Sequence, residues 1–145
     1  MAHILIMGAS RGLGRALAQA YGEQGHRVIA TVRQARDRAA LQDLGAEVLL
    51  VDLADAASVS GLAWQLDGEK VDLALYVAGV WEGCGAATPP TREQFDHVMH
   101  TNVLGAMQVL PQVAPLVEEA GGVLGLFSSQ MSLLGKARPD AWLYR

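Results

Sequence analysis

Short apolar runs alternate with longer amphipathic stretches along this chain. Ile4 to Met7 is an apolar run that stops at Gly8, the pattern of a buried parallel strand. Leu13 to Gln24 has helical spacing, with Leu13, Leu17, Ala20 and Tyr21 expected on one face, and Gly25 ends it. Val28 to Val32 predicts the next strand, Gln34 to Leu44 a helix closed by Gly45, and Val48 to Val51 another strand. Asp55 can cap a helix running to Leu66, and Val71 to Val77 predicts a strand that ends at Ala78-Gly79.

A loop rich in Gly, Ala and Pro follows, from Trp81 to Pro90. Thr91-Arg92-Glu93-Gln94 matches a capping box and opens a helix. Asn102 to Glu119 is a long apolar helical stretch. Its Pro111 and Pro115 each remove a backbone hydrogen bond, so a kink or a split is expected. Met99, Met107 and Leu110 read as helix core, and His97 and His100 as helix surface. Gly121-Gly122 closes the stretch, Val123 to Phe127 predicts the last strand, leading into Ser128-Ser129, and the rest to Arg145 reads as loop. Strand alternating with helix in this way predicts an α/β fold: a Rossmann-like, doubly wound parallel sheet with helices on both faces. We read residues 1–145 as one domain, without repeats, low-complexity segments or linkers.

Composition agrees with a packed domain and narrows its partners. The chain has 145 residues, 51% of them apolar and only 18% charged, which excludes intrinsic disorder. The net charge is −4 and no run of Lys or Arg could track a phosphate backbone, so no nucleic-acid partner is expected. Cys84 is the single cysteine. It cannot form an internal disulfide or build a zinc site, and no metal is expected. A reducing, cytoplasmic compartment fits best. The first residues carry no basic leader, and no stretch approaches the ~18 apolar residues of a membrane span, so no membrane partner is expected.

The chemistry is concentrated at Gly8-Ala9-Ser10-Arg11-Gly12-Leu13-Gly14, directly after the first strand and at the mouth of the first helix. A diphosphate must approach the backbone closely there and take hydrogen bonds from free N–H groups, with the helix dipole favouring its charge. A Cβ at those glycines would block the approach, and the Ser10 hydroxyl adds a donor. A glycine-rich turn alone is weak evidence. The strand before it and the helix after it give the context that a dinucleotide site requires. The spacing is G-x-x-x-G-x-G, not the more widespread G-x-G-x-x-G.

The end of the second strand bears on which dinucleotide. An acidic residue there would bind the ribose hydroxyls of NAD. This chain has Arg33 instead, with Arg11 inside the glycine turn. Two guanidiniums suit a 2′-phosphate, which accepts bidentate hydrogen bonds, so NADP(H) is the expected cofactor. The competing reading makes both solvated surface arginines.

With these residues in hand, the chain resembles the short-chain dehydrogenase/reductase family. Gly8 to Gly14 matches its signature turn. Asp52-Leu53 after the third strand resembles the site of its adenine-contacting Asp, and Ala78-Gly79 the end of its Asn-Ala-Gly motif. Thr101-Asn102-Val103-Leu104-Gly105 resembles its segment carrying the active-site Asn, and Ser128-Ser129 its catalytic serine motif. Tyr144-Arg145 resembles the start of its Tyr-x-x-x-Lys motif, and the wording around it is similar to the branch of C-factor and sniffer-type carbonyl reductases. The resemblance implies an NADP(H)-dependent oxidoreductase acting on a small-molecule carbonyl or alcohol. It implies that Tyr144 is the general acid/base, that Ser129 holds the substrate oxygen, and that Asn102 positions a water in the proton relay. It also implies a homodimer or homotetramer through the long helix. Trp81, Gln130, Met131 and Trp142 are expected to border the substrate pocket, and Cys84 is given no catalytic role.

Two departures stand out. Tyr76-Val77 replace the family's asparagine, so apolar packing is expected in place of a polar contact. The motif lysine would lie beyond Arg145, together with the family fold's C-terminal part. The expectation is therefore a chain that forms part of a longer protein or is truncated. The competing function is a non-catalytic nucleotide-binding or signalling module.

Overall fold

The computed structural model describes residues 1–82, 88–129 and Gly135. Its strands are β1 (His3–Met7), β2 (Arg27–Val32), β3 (Glu47–Leu50), β4 (Leu73–Tyr76) and β5 (Val123–Leu126), in one sheet of order β3-β2-β1-β4-β5. Every pairing is parallel, with Ile4 opposite Val28 on one side and Leu73 on the other.

The apolar run of β1 is continuous because both of its faces are buried. Leu5 and Met7 pack on one side of the sheet, and Ile4 and Ile6 on the other. Ala18 of α1 (Gly12–Glu23) and Leu41 of α2 (Arg38–Gln42) cover the Ile4 side. The Leu5 side is covered by Val59 of α3 (Ala56–Ser60), Leu62 of α4 (Leu62–Gln65) and a valine stripe (Val109, Val113, Val117). The stripe belongs to α6 (Gly105–Ala120), which follows α5 (Arg92–Met99) through a π-helical turn at His100–Leu104. This is the doubly wound, Rossmann-like arrangement. The winding reverses between β1 and β4, so a crevice opens at the carboxyl ends of these strands. None of the described helices is long and apolar enough to cross a membrane.

Local signals that were sharp in the sequence are realised. Thr91 and Gln94 form the reciprocal capping box, at 3.2 and 2.9 Å, and Asp55 accepts from the Ala57 N–H at 3.0 Å. Other expectations need correction. The helix expected at Gln34–Leu44 is a 3₁₀ turn (Ala35–Asp37) followed by the single short α2. The one expected from Asp55 to Leu66 breaks at Gly61 into α3 and α4. On α1, Leu13 and Ala20 are exposed, and the inner face is Gly14 and Ala18 with Leu17 and Tyr21 half-buried. Leu13 is freed because it borders the crevice. Met107 is 66% exposed, not core, since the valines spaced four residues apart take the buried stripe.

Nor do the prolines split the long helix, which runs unbroken from Gly105 to Ala120. Pro111 and Pro115 both lie on its exposed side, one turn apart, where water can hydrate the carbonyls they leave unpaired. The irregularity falls one turn earlier, in the π-turn that holds Asn102.

Candidate functional site

The glycine turn is held from below by β2. Thr31, 1% exposed, accepts from the Gly8 N–H through its hydroxyl at 3.1 Å and from the Ala9 N–H through its carbonyl at 2.9 Å. The next residues are left facing outward. Arg11 is the N-cap of α1, with extended backbone and no side-chain cap. The first-turn N–H groups that follow lack intrahelical acceptors, as at any helix start. Among the described residues, no side-chain cap closes this helix mouth.

The glycines earn their places in different ways. A Cβ on Gly14 would lie 2.1 Å from the Gly8 carbonyl oxygen, so α1 could not sit so close to the turn with any other residue. At Gly8 the φ of +93° and the backbone of Ala78, 2.6 Å from a would-be Cβ, exclude a side chain. Gly12 differs: its φ is +54°, and nothing lies within 4 Å of a would-be Cβ. That open space is what a diphosphate would need above the helix mouth.

A cleft of about 600 Å³ opens over this turn. Gly8, Ser10, Arg11, Gly12, Leu13 and Gly14 form its floor. Arg33 stands at the end of β2, Asp52 and Leu53 after β3, and Ala78 and Gly79 after β4. Every residue expected to touch the dinucleotide therefore lines one cavity. Asp52 is set in place locally: its N–H donates to Ser58 Oγ at 2.9 Å, and its Oδ1 accepts from the Ala54 N–H at 3.0 Å.

Arg36, in the 3₁₀ turn, lines the cleft as well and was missed in the sequence. Expecting a continuous helix from Gln34 hid the turn that carries it back to the site. Arg11, Arg33 and Arg36 thus share one cleft with two carboxylates, Asp37 and Asp52. The described ion pairs engage Arg27 and Arg92 instead.

The residues expected to do chemistry are placed less completely. Ser128 lines the cleft, and Ser129, exposed, follows it without being part of the lining among the described residues. Thr101 lines the inner wall. The Asn102 amide faces the strand side, donating to the Val80 carbonyl and accepting from the Val80 N–H, both at 2.8 Å. Tyr76 corrects the expectation of purely apolar packing: it is 4% exposed, and its hydroxyl donates to the Thr101 carbonyl at 3.0 Å. The phenol thus supplies a polar contact at this strand end without an asparagine. Tyr144, Cys84, Gln130, Met131 and Trp142 lie outside the described residues. Among those described, no group of three or more His, Cys, Asp or Glu is placed to hold a metal ion.

A family model described as short chain dehydrogenase matches residues 2–139. The chain is 35% identical over 121 residues to an NADPH-dependent pterin aldehyde reductase of Arabidopsis thaliana, covering 79% of this chain and 50% of that protein. It is 31% identical over 125 residues to an NADP-dependent 3-hydroxy acid dehydrogenase of Salmonella typhi, covering 82% of this chain and 50% of that one. The chain thus spans about half the length of these curated relatives. Among solved structures, a short-chain dehydrogenase/reductase from Burkholderia multivorans with bound NADP superposes with a TM-score of 0.87 at 31% identity, over 99% of this chain and 66% of that one.

Proposed function

The chain belongs to the short chain dehydrogenase family, and from that premise we propose that it binds NADP(H) and serves an oxidoreductase that interconverts a carbonyl and an alcohol. The observation that carries this reading is the open helix mouth with Arg11, Arg33 and Arg36 around the same cleft. The residues present fit the cofactor. Gly12 leaves room for the diphosphate, the first-turn amides of α1 would bind it, and the arginines would meet a 2′-phosphate. Asp52 and Leu53 would flank the adenine. The nicotinamide, when bound, supplies the hydride chemistry. The chain's own part is to bind and to place. Ser129 would hold the substrate oxygen, Asn102 would position a water, and Tyr144 would give or take the proton at that oxygen. A tyrosine near its ordinary pKa of about 10 needs a neighbouring positive charge to ionise near neutrality.

Calorimetric titration tests the cofactor assignment. NADPH is expected to bind about tenfold tighter than NADH, a difference of roughly 1.4 kcal/mol, which one charge-assisted contact can supply. Equal affinities would remove the NADP preference, and no binding of either would remove the nucleotide reading.

We read the protein as a homodimer or homotetramer. Phe95, Leu104 and Met107 are 46%, 39% and 66% exposed on α5, the π-turn and α6, beside a groove that also holds Met99 and Val103. A mostly apolar face of this kind, with Asp96 and His100 also lining its groove, suits a two-fold contact. Met107→Glu should raise the dissociation constant of self-association about tenfold in sedimentation experiments, without lowering the melting temperature of the protomer. An unchanged sedimentation profile would assign the face to something other than a second copy.

A further inference from the structure

A π-turn is less favourable than the α-helix on either side of it, so something must hold it. At His100–Leu104 the holding groups come from the end of β4. The Tyr76 hydroxyl donates to the Thr101 carbonyl at 3.0 Å, and Asn102 clasps both the N–H and the carbonyl of Val80 at 2.8 Å. The hydroxyl of Thr101 itself is buried and finds no hydrogen-bond partner among the described residues. Gly105 completes the fit: a Cβ there would come within 3.0 Å of the Tyr76 hydroxyl and 2.8 Å of the Leu53 carbonyl. Val80 also packs against Val98 of α5, which is fully buried.

We propose that Tyr76 is a positioning residue of the cleft: by pinning the Thr101 carbonyl it keeps the π-turn from relaxing to α-helical register, and so keeps Asn102 clasped on Val80. Relaxation by one residue would rotate Asn102 by about 100° around the helix axis and carry its amide away from β4. The wall it supports, Ala78-Gly79-Val80, borders the half of the cleft over β4 and β5. The arginines after β2 and Asp52 after β3 border the other half. On the proposed reading of the cleft, on which this inference partly rests, the nicotinamide half of NADP(H) lies against the Tyr76-supported wall and the 2′-phosphoadenosine half away from it.

The test is Tyr76→Phe in the full chain, which keeps the ring and removes the hydroxyl. With no ligand present, the Val80 amide should exchange with solvent about tenfold faster, with Leu5 in β1 unchanged. NADPH should bind about fivefold more weakly and 2′,5′-ADP, which lacks the nicotinamide half, as before. Asn102→Ala reaches the same clasp from the other side. It should speed the same amide, and in the double variant Tyr76→Phe should add nothing further. If Tyr76→Phe does not fold, Asn102→Ala alone decides through its own split between NADPH and 2′,5′-ADP. Unchanged Val80 exchange, equal acceleration in β1, equal weakening of both ligands, or additive effects would each overturn the proposal. Failure of the wild-type chain to bind NADPH would overturn the cofactor reading instead, with the exchange measurement still deciding the clasp.

Discussion

Arg33→Asp is expected to reverse the coenzyme preference, from NADPH favoured about tenfold to NADH favoured, a combined change of roughly 100-fold in the affinity ratio. Two effects add. The substitution removes a guanidinium that would make charge-assisted hydrogen bonds to the 2′-phosphate, worth about 1.5–3 kcal/mol when formed. It also places a carboxylate at the end of β2, where it repels that phosphate and accepts from the ribose hydroxyls of NADH. Arg33 is exposed, so screening by salt trims the electrostatic part. The preference of the wild-type chain should therefore shrink as ionic strength rises. Arg11 and Arg36 remain in the cleft, so residual NADPH binding is expected, and Arg36→Ala alone should weaken NADPH only about threefold. Paired titrations of NADPH and NADH at two salt concentrations check this. A ratio unmoved by Arg33→Asp would mean that the guanidinium never meets the 2′-phosphate.

The lining of the candidate cleft was more legible in the sequence than some of the elements that carry it. Gly8 to Gly14 was legible because spacing and context together, strand before and helix after, are enough to specify a turn of this kind. The residues after β2, β3 and β4 were legible because a parallel sheet brings the carboxyl ends of its strands to one edge, whatever lies between them. Helix lengths were less legible. Gly61 breaks the α3–α4 stretch, though its sequence pattern is continuous, and tertiary packing carries α6 through two prolines. The register of the π-turn depends on Tyr76, Asn102 and Gly105, residues far apart in the chain that meet only once the sheet is folded. No local rule predicts that a tyrosine at a strand end will reach a carbonyl 25 residues on. Arg36 was not legible for the reverse reason: its local pattern is helical, but the chain makes a 3₁₀ turn there.

Gly14→Ala should cost the chain both its stability and its ligand. The added methyl would lie 2.1 Å from the Gly8 carbonyl oxygen and 3.0 Å from Ala9 Cα, so it meets backbone on both counts, and no side chain can swing aside. Either α1 retreats from β1 or the turn opens. Retreat would also loosen Ala18 from the core it shares with Ile4 and Ile6. Overpacking against rigid backbone costs about 3 kcal/mol, which for a domain of this size lowers the melting temperature by about 10 °C. The amides that would bind the diphosphate move with the helix, and NADPH affinity should fall by about 100-fold or more. Gly12→Ala, in the same turn, is the contrast. Its methyl meets nothing within 4 Å, and only the positive φ is strained, at about 1 kcal/mol. That variant should fold with a melting temperature within about 4 °C of wild type, yet bind NADPH about tenfold more weakly, because the methyl occupies space the diphosphate needs. Urea denaturation gives the stabilities, and calorimetry the affinities. A Gly14→Ala chain as stable as wild type would show that α1 does not need its close approach to the turn. A Gly12→Ala chain with undiminished affinity would show that the diphosphate does not pass over the helix mouth.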